Sequence, residues 1–267
     1  MKVSAYIPCF NNRGTIARAI ESVKQQRRAV DEFFVVDNGS SDGSAEFVAS
    51  LGVRVIPPPE TRGRGASRAL AMKEAAHELV LCCDAAIVLE PDFITNAMPW
   101  FEDRLVAAVF GWVTQPPPVN AVERWRGRHL FKGSPEKTIH HAALATGGAL
   151  MRALAVKETG NFNAHLEYGE DADLGDRLLG DGWDIICDPQ LKITSIAENT
   201  LAQVLERYWR WNTASHGRMS VREYVQQISY SVKVMARQDL QAGDPLAAAI
   251  SLITPHYQFL KAAGDGR

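Results

Sequence analysis

Cysteine is scarce in this sequence. Its four cysteines, Cys9, Cys82, Cys83 and Cys187, show no C-x-x-C spacing. Without the paired spacing of a metal or redox motif, they read as small core hydrophobes in a reducing cytoplasm. No apolar run reaches the ~18 residues of a membrane-crossing helix. The start, Met1-Lys2-Val3-Ser4, passes straight into a β-rich run instead of a signal-peptide pattern. An excess of one charge is missing too: 29 Lys and Arg face 31 Asp and Glu, for a net charge of -2. No basic field selects nucleic acid, and an anionic substrate has to be held by local arginines. Internal repeats and low-complexity tracts are also lacking. The expected location is the cytoplasm, at most the inner face of a membrane.

What is present is ordinary globular composition, 46% hydrophobic and 22% charged over 267 residues, enough for one large α/β core or two small ones. Strand and helix patterns alternate through the first half. "KVSAYIPCF" is β-rich, and "GTIARAIESVKQQ" puts Ile16, Ile20 and Val23 on one helical face with Thr15 as its cap. "EFFVVD" and "VRVI" are further strands, "AEFVASL" and "RGASRALAMKEAAHE" are helical, and "LVLCCDAAIVL" reads as a fourth strand. This alternation predicts a Rossmann-like, mostly parallel sheet flanked by helices. Ligands bind such sheets beyond the carboxyl ends of the strands. Asn11, Asp37, Arg68 and Asp84 all fall at those ends or just after them. From about Asn199 the pattern turns helical, which predicts an α/β domain over 1–198 and a helical extension over 199–267.

Three stretches carry chemistry. In "VVDNGSSDGS" the strand-terminal Asp37 suits a nucleobase imide, and equally suits a βα turn that satisfies it locally. "RGRGASRA" lacks the third glycine and the distant acid of a dinucleotide fingerprint. Its Arg68 is placed to face a ribose or phosphate, with Arg62 nearby and Arg64 read as a solvated charge. In "YGEDADL", Glu170, Asp171 and Asp173 crowd a helix start, where backbone N–H groups favour negative charge. Three acids exceed what a cap needs, and their repulsion raises at least one pKa, which suits a general base.

In order, "YIPCFNN", "VVDNGSSDGS", "RGASRA", "LCCDAA…LEPDF" and "GEDADLGDRLLGDGW" resemble family 2 glycosyltransferases of the GT-A fold, over roughly the first three quarters of the chain. The resemblance implies a nucleotide-sugar donor, of UDP type, bound by a 1–110 half. A 111–198 half would bring the acceptor and the catalytic acids, and the sugar would transfer with inversion. It implies that Pro8 and Phe10 border the base, that Asp37 binds its imide, and that Arg68 and Asp84 hold the donor. It further implies that Asp171, with Glu170 beside it, deprotonates the acceptor hydroxyl. Asp84 matches the first acid of the family's D-x-D signature, but Ala86 stands where the metal-touching acid belongs. The His expected after "CDP" is replaced by Thr194 and Ser195.

With two ligand positions missing, a magnesium or manganese site on Asp84 is expected to be weak. Three explanations stay open: a transferase with atypical metal use, a chain that binds donor without turnover, or an engineered change at Ala86. A nucleotidyltransferase of the same fold is disfavoured, because no glycine-rich, lysine-bearing loop follows the first strand. For the acceptor, a saccharide, lipid-linked or other hydroxyl compound, the candidates are Trp125 and Arg126 in "ERWRGRHLFKG", the Gly147-Gly148 turn, and Trp209 in "RYWRWN". Helix geometry lets at most one of Trp209 and Trp211 line a site. His140, His141 and His216 show no ligand spacing, His216 being kept as a replacement ligand. The apolar C-terminal stretch is expected to be core, a contact between copies, or a membrane-surface element.

Overall fold

The structure, a computed structural model, describes residues 1–57, 63–133, 135–212 and 219–264. Arg62 and His216 lie outside the described residues. The chain divides into two compact units, one of residues 1–114 and 134–197, the other of residues 115–133 and 198–267.

The first unit is an eight-stranded sheet in the order β3-β2-β1-β4-β7-β6-β8-β5. β1 (Val3–Cys9), β2 (Glu32–Asp37), β3 (Arg54–Ile56) and β4 (Leu79–Cys83) run parallel. β5 (Ile87–Leu89) and β7 (Gly148–Arg152) are antiparallel to their neighbours, and β6 (Val106–Thr114) pairs in parallel with β8 (Asp184–Ser195). The pleat sends Val3, Ala5 and Ile7 to one face and Tyr6 to the other. Helix α1 (Ile16–Lys24) covers the first face with Ile16, Ile20 and Val23, along with α2 (Ser44–Ser50) and α4 (Phe93–Ala97). The second face carries α3 (Arg64–Glu74), α6 (Ala153–Glu158) and α7 (Glu170–Gly180). Thr15 precedes α1 without a side-chain cap; its hydroxyl donates to the Asn12 carbonyl instead.

Two sequence expectations are corrected here. "LVLCCDAAIVL" is two strands, not one. The Ile87 N–H donates to the Asp84 carbonyl, closing a turn, and β5 then pairs with β8 at the far edge of the sheet. The break leaves Asp84 at the end of β4. The contiguous division at 198/199 also gives way, because residues 115–133 belong with the helical unit, and the boundary expected at 110/111 falls inside β6.

The helical unit contains α5 (Ala121–Arg126) running into a π-helical turn over Gly127–Phe131, then α8 (Leu201–Asn212), α9 (Val221–Tyr230), α10 (Arg237–Gln241) and α11 (Pro245–Gly264). Charge and ring chemistry explain why α5 sits here. Trp125 is fully buried, packs against Tyr208, and donates its indole N–H to Ser251 Oγ at 2.9 Å. Arg124 and Arg128 both bind Asp244, and Arg128 also binds the buried Asp239. A Ser220–Glu223 capping box starts α9, a helix with no buried residue. Leu246, Leu252, Ile253 and Leu260 of α11 are exposed.

Candidate active site

The strand ends of the first unit collect the candidate donor residues. Cys9 of β1 lies level with Asp37 of β2, so Pro8, Phe10 and Asp37 meet at one edge. Pro8 is half-buried and Phe10 is 55% exposed. Asp37 is 5% exposed, and its two oxygens divide the two sequence readings between them. Oδ2 accepts the Gly39 and Ser40 N–H groups at 2.9 and 3.0 Å, which is the βα turn. Oδ1 is buried with no hydrogen-bond partner, an open acceptor of the kind a base imide N–H would satisfy.

Arg68 is the hub beneath these strand ends. It lies on α3, whose first turn fits against the loop before α7 because Gly65 has no side chain: a Cβ there would stand 2.1 Å from the Asn163 carbonyl. The guanidinium is 3% exposed, and each of its nitrogens donates. Nε binds Glu170 Oε1 at 2.9 Å, Nη2 binds Asp84 Oδ1 at 2.9 Å, and Nη1 meets Cys82 Sγ at 2.6 Å. Burial pushes the Cys82 thiol up to about 12, so it is a neutral contact. Although burial works against its charge, the surrounding groups, Asp84 and Glu170 among them, hold Arg68 well above its ordinary value. The expected donor contact by Arg68 is therefore corrected: it binds two carboxylates, and positions them.

The same holds for Glu170, which is 2% exposed and committed to Arg68. Its Oε1 accepts from Arg68 Nε at 2.9 Å. Asp171, the next residue, is half-buried at the start of α7, which follows Gly169 at φ 76°. Burial first, then the Glu170 charge, raise its pKa above the ordinary 3.8, against the opposing pull of Arg68. A reachable carboxylate with a raised pKa is equipped to accept a proton. Asp173 pairs with Arg177 one turn on.

Asp84 is partly exposed. Its Oδ1 is held by Arg68, its N–H donates to the Gly147 carbonyl at 3.1 Å, and its Oδ2 accepts no hydrogen bond among the described residues. Gly147 lies against that oxygen, since a Cβ there would come 3.6 Å from Asp84 Oδ2. Gly148 is a packing position: a Cβ would stand 2.8 Å from Ile193. Two further residues join the surroundings. Thr146, beside Gly147, has a buried hydroxyl with no hydrogen-bond partner. Arg64, exposed in the first turn of α3, sits one turn before Arg68 on the same face and makes no ion pair among the described residues. In the sequence it reads as a solvated charge near Arg68.

A divalent cation does not fit what the protein supplies. Asp84 Oδ2 is one open carboxylate oxygen, Glu170 Oε1 is bound to Arg68, and Ala86 brings a methyl group while its carbonyl accepts the Ile196 N–H. Among the described residues no three His, Cys, Asp or Glu come together as a metal-holding group, whereas hard cations take six or more oxygen ligands. Thr194, at the place of the expected His, sits in β8 with its hydroxyl beside that of Thr114.

The aromatic acceptor candidates are corrected. Trp125 and Trp209 are 0% and 4% exposed in the helical unit, so neither ring offers a free face. Lys261 covers the Trp209 ring at 5.6 Å. Arg126 is 3% exposed and donates to Gln115 and Asn199. Sequence periodicity placed these residues on a helix, but which face would be buried depended on α11, far along the chain.

A mixed sheet with carboxylates gathered at the ends of β2 and β4 and the start of α7 is the architecture of GT-A glycosyltransferases. The structure superposes on that of S. aureus TarS 1-349 (TM-score 0.60, 16% identity, covering 100% of this chain and 92% of TarS). It also superposes on the mannosyltransferase PcManGT from Pyrobaculum calidifontis in complex with GDP-Man and Mn2+ (TM-score 0.61, 18% identity, 100% and 76%). TarS 1-349 is also known in complex with UDP-GlcNAc, with a TM-score of 0.60 at 17% identity over 99% of this chain and 80% of that one. Residues 4–160 match the Glycosyl transferase family 2 description, and the chain belongs to that family of enzymes. Curated relatives include the O-antigen chain rhamnosyltransferase RfbN of Salmonella typhimurium, 21% identical over 78% of this chain and 71% of its own. Another is the poly-beta-1,6-N-acetyl-D-glucosamine synthase of Staphylococcus epidermidis, 26% identical over 80% and 54%. The chain thus spans only about half the length of the synthase. Among the described residues no helix is long and apolar enough to cross a membrane.

Proposed function

We propose that this chain transfers a sugar, with inversion, from a nucleoside diphosphate sugar to an acceptor hydroxyl, and that Asp171 is the general base. The observation that carries the reading is the wiring Asp84–Arg68–Glu170, which ends beside a half-buried Asp171 of raised pKa. UDP-GlcNAc and GDP-Man in the complexes of the structural relatives support a nucleotide-sugar donor. In the transfer, the acceptor O–H gives its proton to the Asp171 carboxylate. Its oxygen bonds to the anomeric carbon as the bond from that carbon to the diphosphate oxygen breaks, and the diphosphate leaves with the electron pair. Asp37 Oδ1 accepts from the base imide, and Asp84 Oδ2 faces the ribose or diphosphate side. The exposed Arg64 and the α3 N-terminus, rather than Arg68, carry the charge of the leaving group.

Donor hydrolysis tests the reading: slow release of free sugar from UDP-sugar, abolished by Asp171→Asn, is expected. Binding of donor with no release under any condition would instead make the chain a silent nucleotide-sugar binder. The exposed apolar residues of α11 favour contact of the helical unit with a membrane surface or a second copy. The double variant L246S/L260S should reduce sedimentation with anionic vesicles, or shift the protein to monomer in gel filtration.

A further inference from the structure

A cavity of about 660 Å3 opens in the helical unit, the size of a small-molecule site. Its lining is mostly polar: Arg128 and Lys132 supply charge, Gln226, Gln227 and Gln238 supply carboxamides, and Tyr230 supplies a half-exposed ring. Among its described lining residues there is no carboxylate. Asp239 and Asp244 lie beneath, both buried, and fix Arg128 through Nε and Nη2. Arg128 Nη1 makes no hydrogen bond among the described residues, and exposed Lys132 makes no ion pair there. Asp239 also takes His129 Nε2 at 3.0 Å and the Ser251 hydroxyl, so both of its oxygens are used.

Carboxamides donate to and accept from hydroxyl groups, aromatic rings cover sugar faces, and an arginine–lysine pair binds phosphate or carboxylate. We propose that this cavity binds an anionic saccharide. This binding does not rest on the transfer reading.

The probe is glucose 1-phosphate, titrated calorimetrically into the whole chain with UDP present in excess to occupy the donor side. Glucose and inorganic phosphate serve as the two fragments. Lys132→Gly is the clean variant, because Lys132 sits at φ 50°, where glycine is at ease and the substitution carries no folding cost. Gln226→Ala, at an exposed position of α9, is the second.

Glucose 1-phosphate should bind at least about tenfold more tightly than either fragment, and Lys132→Gly should weaken it about tenfold with the Tm unchanged or raised. Gln226→Ala should weaken glucose 1-phosphate but not inorganic phosphate. Equal binding of phosphate alone, or binding indifferent to Lys132→Gly, overturns the proposal. Donor hydrolysis lost in Asp171→Asn while Lys132→Gly binds normally leaves the transfer reading intact and removes this one. Binding that depends on Lys132 in a chain without donor hydrolysis does the reverse.

Discussion

Both units place a buried or half-buried arginine between two carboxylates, and they do so to different ends. In the helical unit Arg128 joins Asp239 to Asp244, and both acids are fully satisfied: Asp239 by Arg128, His129 and Ser251, Asp244 by Arg124, Arg128 and the Ala247 N–H. In the sheet unit Arg68 joins Asp84 to Glu170, but this unit keeps open acceptors. Asp84 Oδ2 and Asp37 Oδ1 have no hydrogen-bond partner among the described residues, and Asp171 accepts only the neighbouring Ala172 N–H. A closed polar network holds a fold, whereas one with open valences waits for a ligand to supply the donors.

The comparison is broken most directly at the arginines. Arg68→Met should destabilise the sheet unit by about 3–5 kcal/mol in urea unfolding, because Glu170 is left buried and unpaired. Adding Glu170→Gln should recover most of that loss without restoring transfer. Recovery of both would make the Arg68–Glu170 pair mere scaffold, like Arg128–Asp239.

Next in size is the pH dependence of turnover. As the proposed base, Asp171 has to be ionised, so kcat/KM should fall as pH drops through its pKa, at a midpoint above the ordinary carboxylate value of 3.8. The stability sign is opposite. With the folded pKa raised, the Asp171 contribution is fully present below the unfolded pKa and is lost as pH rises through the folded one. Asp171→Asn should therefore leave the Tm at pH 7 unchanged or slightly raised.

Asp244 shows the contrasting case. Arg124 first, then Arg128 and the Ala247 N–H, hold its pKa well below the ordinary carboxylate range, against the cost of burial. Its stabilisation is present above the unfolded pKa and is lost as pH falls through the folded one. Asp244→Asn should lower the Tm at pH 7 and flatten its fall in acid, as circular dichroism melts would show. The smallest effect is expected from Ala86→Asp, which adds a second carboxylate near Asp84. Calorimetry of UDP with and without manganese should then show metal linkage larger than in the unaltered chain.

Much of the site was legible because its signals are local. Asp37 and Asp84 each follow an apolar strand run, and Glu170-Asp171 open a helix. What the sequence hid is long-range. That Leu79–Leu89 splits into β4 and β5 depends on β8, about a hundred residues on. That Trp125 is core and not a sugar platform depends on Ser251 and Tyr208. Arg68 was placed correctly on its helix, but a helical face does not reveal its partners, and two of them, Asp84 and Glu170, come from separate elements. The discontinuous helical unit escaped notice for the same reason: the charges of α5 find their counterparts only at Asp239 and Asp244.

The measurement that tests the central claim most directly is a crystal structure of the chain soaked with UDP. The uracil imide should donate to Asp37 Oδ1 beside Phe10, the diphosphate should lie between Asp84 and the start of α3, and Asp171 should face the space beyond the β-phosphate. UDP bound elsewhere, or Asp171 turned away from that phosphate, would contradict the account.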